Sequence, residues 1–501
     1  MLLGVLLIGL TALVLTYYIR EWWTKWRRLP PGPFGLPFFG YIHKLSPKRP
    51  FDTFNELGQT YGPLCTITVM GFTEVIINDY DMLREIFGMK ESTGKPDTDF
   101  QRFHTDDSFE NVGLLTSWGK VWSDNRRFSL KTLRNLGFGK TSTQDMVMES
   151  VHYVEEVFAK NLGVPFDVVP PINLGVFSTI RRFVAGESAI EKYDPFLDNF
   201  LKAFNATAKL QTQSSPINFF HPGFSRFYPE LKLARSRLQK LLREFCGFVQ
   251  DHKTTRDRNF HRDYTDAYLH EIEDNPLVDK DTMTERILHF NIRHLFVAGF
   301  DTITTTLRWA LFFLVSHPEI QAKLQEELDQ FQGERDRVDY EDANQLPYLG
   351  AFILETLRLG TSVPISAHIA LKDVDYKGYH IPRGTWLVSN LYGLHLNPKY
   401  FPNPDVFDPS RHLSADGQVI QNQKGFVPFS IGQRKCLGET LAKMELFLYL
   451  GNLLRRFTFK APPEVSLQSH LEAGIAGVTF PPPAHLLVIE ERKGRTSKTG
   501  G

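Results

Sequence analysis

The sequence predicts a mainly α-helical protein with a small β region, preceded by a single N-terminal transmembrane helix. The first observation is the segment Thr282–Ser316, which keeps a helical composition with no proline before Pro318 and is longer than most globular helices. The second is Val374–Val388, where alternating residues and turn residues are typical of a short sheet. The third is an uncharged apolar run at the start of the chain, Leu2–Ile19.

That apolar run is close to the roughly 20 residues that a helix needs to cross a bilayer. No basic residue precedes it and no small-residue cleavage pattern follows it, which favours an uncleaved anchor over the alternative, a cleaved signal peptide. Basic residues and tryptophans follow at once, so the positive-inside rule places the N-terminus in the lumen and the body of the protein in the cytosol. We expect the membrane anchor over residues 1–20.

The rest of the chain divides by composition. Residues 21–40 are basic and aromatic and then proline-rich, ending in "LPPGPFGLPFFG", which cannot continue a helix and is expected to form a hinge. Residues 41–490 contain no repeat or second proline-rich linker and are expected to form one catalytic domain, with a short strand in "PPPAHLLVIEER". Residues 491–501 are expected to form a loose tail.

Charge and cysteine usage narrow the classes of function. The chain has 57 basic and 57 acidic residues and a net charge of zero, which gives no sign of a nucleic-acid partner. Cys65, Cys246 and Cys436 lie too far apart in sequence for a CxxC metal pair or a disulfide framework, and they fit a reducing compartment. A cysteine thiol is therefore free for a role as a catalytic group or a ligand.

Cys436 lies in "FSIGQRKCLGE", between two glycines and beside two cations. A single thiolate can be the axial ligand of a heme iron, and neighbouring glycines let the backbone pass close to a flat macrocycle. The alternative is that Cys436 is a small buried hydrophobic residue, the commonest state of a free cysteine.

The spacing of the loop favours the first reading. Phe429, Gly432, Arg434, Cys436 and Gly438 match the heme-binding loop of the cytochrome P450 family, Phe-x-x-Gly-x-Arg-x-Cys-x-Gly, position for position. The resemblance implies that the cysteine is the iron ligand and that the arginine faces a heme propionate.

A second pair of motifs resembles the same family. Glu355 and Arg358 form Glu-x-x-Arg, with i, i+3 spacing on one helix face, and "FDPSR" supplies the Phe-x-Pro-x-Arg loop with Arg411. The resemblance implies that these three charged residues lock together and hold the loop that presents Cys436. His412 stands where an aromatic residue usually follows.

Other positions resemble the propionate-binding residues of the family. Trp122 and Arg126 are one helical turn apart and match Trp-x-x-x-Arg, and His368 falls where many members have a propionate-binding arginine or histidine. Taken alone, the first pair would favour the alternative of an aromatic residue and a cation on an ordinary amphipathic helix.

The long helix carries "AGFDTITTT", in which Ala298, Gly299, Asp301 and Thr302 match the family's oxygen-binding Ala-Gly-x-Asp/Glu-Thr. The run of hydroxyl residues predicts a local bulge, because such side chains compete for backbone carbonyls. The resemblance implies that Thr302 and Asp301 are catalytic and manage protons.

The resemblance covers nearly the whole chain and is strongest to the animal microsomal branch that contains family 2 and the steroid 17- and 21-hydroxylases. It implies heme b, and a monooxygenase that inserts one atom of O₂ into a lipophilic substrate: a steroid, fatty acid, terpenoid or foreign compound. It also implies residence in the endoplasmic reticulum membrane, with NADPH-derived electrons from NADPH-cytochrome P450 reductase and cytochrome b5 as a further candidate donor. The chain shows no nucleotide-binding motif of its own.

Two alternatives stay open on the sequence: a heme-thiolate isomerase or dehydratase, and a non-catalytic heme- or lipid-binding protein. The candidate reductase-docking cations are Lys120, Arg126, Arg127 and Lys435. The candidate substrate-contacting apolar residues are Phe219, Phe220, Phe300, Val363 and Ile365.

Overall fold

The computed structural model describes residues 16, 20, 26–36, 39–46, 48–96, 111–186, 196–203, 229–257, 259–332, 337–463, 474, 479–483 and 486–492. Its α-helices are α1 (Pro50–Tyr61), α2 (Tyr80–Gly88), α3 (Gly113–Thr116), α4 (Gly119–Asn135), α5 (Gln144–Ala159), α6 (Val169–Ala185), α7 (Pro229–Thr255), α8 (Tyr264–Asp274), α9 (Glu285–Ser316), α10 (Pro318–Gln332), α11 (Pro347–Gly360), α12 (Leu391–His395) and α13 (Glu439–Arg456). Residues 196–203 are also helical.

The predicted long helix is present as α9, which has 32 residues. It begins three residues later than predicted, because the Thr284 side chain caps it by accepting a hydrogen bond from the backbone N–H of Ile287. It ends before Pro318, as predicted. Most of its side chains are buried and it packs against α6, α11 and α13, so α9 crosses the centre of the core.

The strands are β1 (Leu64–Val69), β2 (Phe72–Ile77), β3 (Pro165–Phe166), β4 (Ile365–Ile369), β5 (Val374–Tyr376), β6 (Tyr379–Ile381), β7 (Trp386–Asn390), β8 (Phe457–Lys460) and β9 (Leu487–Glu491). They form a four-stranded sheet in the order β1-β2-β7-β4, a three-stranded sheet in the order β3-β9-β8, and the hairpin β5-β6. The predicted small sheet at 374–388 is therefore split: β5 and β6 pair with each other, whereas β7 pairs with β2 in parallel and with β4 in antiparallel.

The mainly helical class with a small β region is confirmed, and so is the short C-terminal strand. That strand, β9, runs to Glu491, one residue into the predicted tail. Among the residues that the structure describes, no helix combines the length and the apolar composition needed to cross a bilayer. The predicted anchor lies outside the described residues, except for Thr16 and Arg20.

Candidate active site

One cavity brings together segments that are far apart in sequence. It is lined by α4, by the middle of α9, by β4, by the loop of residues 428–438 and by the start of α13. The sulfur-bearing residue Cys436 lines it, together with Phe429, Arg434 and Gly438. The cysteine loop and the long helix therefore meet across a common space.

The backbone of the cysteine loop explains its glycines. Gly432 has φ +80°, and a Cβ atom there would lie 2.1 Å from the carbonyl oxygen of Phe87, so only glycine fits. The N–H of Cys436 donates to the carbonyl of Phe429 at 2.9 Å, and the N–H of Gly438 donates to the sulfur. Burial raises the pKa of the Cys436 thiol, and the hydrogen bond from Gly438 opposes that rise.

Two predicted arginines lie against the predicted tryptophan. The guanidinium carbon of Arg434 lies 4.4 Å from the ring centroid of Trp122, and that of Arg126 lies 5.9 Å from it. Arg434 donates to the carbonyls of Thr93, at 2.6 Å, and Ser117. Arg126 donates to a carbonyl too, that of the residue before Cys436. Both arginines line the cavity.

A third cation, Lys95, belongs to the same group and was missed by sequence reasoning. Its Nζ donates to the carbonyl of Ala367 at 3.1 Å, and the residue lines the cavity. Burial, reinforced by the charge of Arg434, lowers the pKa of Lys95 to about 7. Lys95 stands alone in a loop and gave no signal in the sequence. Only the fold brings it to Ala367, 272 residues further along the chain.

His368, predicted to bind a propionate, also lines the cavity from β4. Its ring stacks on Phe87 with a centroid distance of 4.0 Å, and its buried Nδ1 has no hydrogen-bond partner. Burial and the charges of Lys95 and Arg434 hold the pKa of His368 well below its usual range.

Three of the cations that line this cavity have no carboxylate counter-charge among the described residues. In the part of the chain that the structure describes, Lys95, Arg126 and Arg434 donate to backbone carbonyls and have no carboxylate partner. Burial and their mutual repulsion lower the pKa of Arg434 to about 9. Such a cluster is suited to an anion, and a heme whose iron was bound by the Cys436 sulfur would supply two propionates to it.

From α9, the predicted residues Ala298, Gly299 and Thr302 line the same cavity. The predicted bulge is wrong, because α9 is α-helical without interruption. Its hydroxyls bond within the helix instead: Thr302 donates to the carbonyl of Ala298 at 2.7 Å. Gly299 has a packing reason, since a Cβ atom there would lie 2.3 Å from Cδ1 of Ile180 on α6.

Asp301 is not among the described residues that line the cavity. Its Oδ2 accepts a hydrogen bond from the hydroxyl of Thr479 at 2.5 Å. Burial raises the pKa of Asp301 to about 6, although the Thr479 bond and the charge of Arg308 act in the opposite direction. The carboxyl group therefore bonds to Thr479 and, unlike Thr302, is not among the described groups that line the cavity.

The three charged residues predicted to lock together, Glu355, Arg358 and Arg411, form one hydrogen-bonded cluster, called the lock below. Glu355 and Arg358, both completely buried, make two hydrogen bonds of 2.7 and 2.8 Å, and Arg411 donates to Glu355 at 3.0 Å. His412 is a fourth member that sequence reasoning missed, with Nε2 2.9 Å from the carboxylate. Burial alone would raise the pKa of Glu355, but the bonds from Arg358 and His412 lower it to about 2.

A hydrogen-bonded path joins this lock to the cysteine loop. Arg358 donates to the carbonyl of His395 at 2.7 Å, and Nε2 of His395 accepts from the N–H of Val427 at 3.0 Å. Val427 immediately precedes the loop that ends at Gly438. The lock is thus positioned to hold that loop.

The structure also bears on the predicted substrate-contacting residues and on the candidate docking cations. Of the predicted substrate-contacting residues, Val363 lines the cavity. Phe300 packs on Phe200 in the core, and neither Phe300 nor Ile365 is among the described residues that line the cavity. Phe219 and Phe220 lie outside the described residues. Among the candidate docking cations, Lys120 and Arg127 pair with Asp124, Lys435 pairs with Glu439, and Arg126 faces the cavity.

Comparisons with known proteins agree with this geometry. The family model described as Cytochrome P450 matches residues 30–488. The chain is 32% identical to Cytochrome P450 2J3 of Rattus norvegicus, over 95% of this chain and 94% of that protein. It is 31% identical to Cytochrome P450 18a1 of Drosophila melanogaster, over 97% and 91%, and 31% identical to Cytochrome P450 2J2 of Homo sapiens, over 92% and 91%. The chain therefore belongs to the cytochrome P450 family of heme-thiolate monooxygenases and resembles its animal family-2 branch.

Proposed function

We propose that this enzyme binds heme b through Cys436 and inserts one atom of O₂ into a lipophilic substrate, with electrons from NADPH-cytochrome P450 reductase. The observation that supports this most strongly is the shared cavity of the Cys436 thiol and cations without a carboxylate partner among the described residues. When bound, heme with a thiolate ligand supplies the activation of dioxygen.

The residues on the cysteine side bind and orient the group. The Cys436 sulfur would be the iron ligand, and the N–H of Gly438 would moderate its charge. Arg434, Arg126 and Lys95 would neutralise the propionates, and His368 would donate a hydrogen bond there. Their carbonyl partners hold these side chains in place beforehand.

The residues of α9 handle protons. Thr302 lines the cavity, and its hydroxyl, which donates to the carbonyl of Ala298, would supply protons to the dioxygen that a bound heme activates. Asp301, with a pKa raised to about 6 by burial, takes up protons from water and passes them towards Thr302. Thr302 and Asp301 are thus the proposed catalytic residues.

The side chains that line the rest of the cavity favour an apolar substrate. Described side chains that line the cavity above α9 and β4 are mostly aliphatic, including Leu114, Leu115, Ile303 and Val363. A lipophilic molecule buries apolar surface there. We propose a steroid, fatty acid, terpenoid or foreign compound, delivered at the endoplasmic reticulum membrane, where residues 1–20 form a single-pass anchor with the N-terminus in the lumen.

The partners follow from this placement. The reductase, with cytochrome b5 as a second donor, docks on the cytosolic side near Cys436. Lys120, Arg127 and Lys435 are exposed enough to exchange their present carboxylate partners for those of a donor protein.

The experiment that tests this function is reconstitution with reductase, NADPH and ¹⁸O₂, screening steroids, fatty acids and terpenoids. We expect product that carries one ¹⁸O atom and requires NADPH. Cys436→Ala should abolish it, whereas Cys246→Ala, which removes a thiol that is not among the described groups lining the cavity, should not. Conversion of a hydroperoxide without NADPH, and no NADPH-dependent product, would favour an isomerase instead.

A further inference from the structure

Three residues of the segment 479–482 are hydrogen-bonded to α9. The hydroxyl of Thr479 donates to Asp301 at 2.5 Å, Nε1 of Trp309 donates to the carbonyl of Phe480 at 2.6 Å, and Arg308 donates to the carbonyl of Pro482 at 2.8 Å. The last two contacts use backbone atoms of the segment. The Thr479 contact alone uses a side chain, so it depends on the residue type.

The same segment also reaches the neighbourhood of Thr302. The N–H of Phe480 donates to the carbonyl of Ser362 at 2.9 Å, and the Ser362 hydroxyl lies 2.7 Å from that of Thr306. Thr306 in turn donates to the carbonyl of Thr302 at 2.7 Å. The segment therefore contacts the Asp301 side chain directly and is linked through Ser362 and Thr306 to the backbone carbonyl of Thr302.

Few other groups act on the Asp301 carboxylate. Among the described residues, the charged neighbour is Arg308 on the same helix, which is itself attracted by Asp167. Thr479 is only 9% exposed, so water competes poorly for the contact. A hydrogen bond to a carboxylate in such surroundings stabilises the ionised form.

We propose that Thr479 is a positioning residue for proton delivery: its hydroxyl holds the ionised Asp301 carboxylate outside the cavity lining and releases it on protonation. The proposal rests on the proposed monooxygenase function. An ionised carboxylate accepts the Thr479 bond strongly, whereas a protonated one accepts it weakly and is free to turn towards Thr302. Proton uptake and reorientation of Asp301 are then one event.

The first test measures the protonation of Asp301 directly in the heme-loaded, membrane-bound enzyme. The infrared band of its protonated carboxyl group, identified as the band that Asp301→Asn removes, is titrated with pH. Thr479→Val should move the midpoint upward by about one pH unit, the size expected for one hydrogen bond to a carboxylate. Thr479→Ser keeps the hydroxyl and should leave the midpoint unchanged.

The second test measures product formed per NADPH as a function of pH for the same variants. We expect the alkaline limb of Thr479→Val to move upward together with the infrared midpoint, and Asp301→Asn to lose that limb whether or not Thr479 is replaced. A purely structural role would instead weaken substrate binding and speed amide exchange in 479–483 without moving either midpoint, and that result would overturn the proposal.

Different results would refute the proposed monooxygenase function and the proposed role of Thr479. If the wild-type protein forms no NADPH-dependent product, the proposed function fails, while the infrared titration still reports on the contact. If the wild-type protein is active but Thr479→Val keeps the wild-type midpoint, only the role of Thr479 is refuted.

Discussion

Nε2 of His412 lies 2.9 Å from Oε2 of Glu355, and both side chains are completely buried. The carboxylate also accepts hydrogen bonds from Arg358, Arg411 and the backbone N–H of Asp408. A buried carboxylate is tolerated only with such partners, because removing one leaves a desolvated charge. His412 therefore supports the lock where an aromatic residue is more usual in the family.

This contact predicts acid sensitivity. A carboxylate whose folded-state pKa is lowered stabilises the protein above its ordinary pKa, and the stabilisation disappears as the pH falls from 4.5 towards about 2. His412→Phe should move the acid loss of bound heme to higher pH and lower the free energy of unfolding by roughly 1–3 kcal/mol. His43→Phe, at an exposed histidine that has no carboxylate partner among the described residues, is the control. Equal acid profiles for the two variants would contradict the role of His412.

Lys95 predicts a specific loss of heme retention. If its ammonium group neutralises a propionate, Lys95→Met should release heme several-fold faster to a heme-scavenging protein, because a buried anion loses a partner. Lys90→Met, which changes an exposed lysine of the same segment, should release heme at the wild-type rate. Identical rates for both variants would remove Lys95 from the site.

Gly299 predicts a compensated pair with Ile180. Gly299→Ala should lower the thermal unfolding midpoint, since its Cβ would lie 2.3 Å from Cδ1 of Ile180, at a cost of about 1–3 kcal/mol. Ile180→Val removes that carbon, so the double variant should be more stable than the sum of the single effects. Additive losses would show that the contact is not the reason for the glycine.

Thr302 predicts a change in coupling rather than in binding. Thr302→Ala should consume NADPH while forming several-fold less product, because the hydroxyl needed for proton delivery is gone. Substrate affinity should change little, and Thr302→Ser should restore most of the product per NADPH. Unchanged coupling in Thr302→Ala would remove the proposed proton role.

The parts of the site that are contiguous in sequence were predictable. The cysteine loop, Glu-x-x-Arg and the long helix each carry their spacing within a few residues, and each lies where the sequence places it. Lys95 and Thr479 were not predictable, because Lys95 bonds to a residue 272 positions away and Thr479 to a residue 178 positions away. Loop conformation decides such contacts, and no local pattern encodes it.

The bulge in α9 failed for a local reason. Hydroxyl residues in a helix can either break the backbone ladder or donate back to the preceding turn, and the composition of "AGFDTITTT" does not distinguish the two. Thr302, Thr304 and Thr306 all donate to carbonyls four residues earlier, so the helix stays intact.

The proposed function depends above all on Cys436 as the thiolate ligand of a heme held by the cation cluster. The most direct measurement is the carbon monoxide difference spectrum of the reduced, membrane-extracted protein, with Cys246→Ala as the matched control for Cys436→Ala. We predict a strongly red-shifted Soret band in the wild-type and Cys246→Ala proteins and its loss in Cys436→Ala. A folded, heme-loaded wild-type protein without that band would contradict the account.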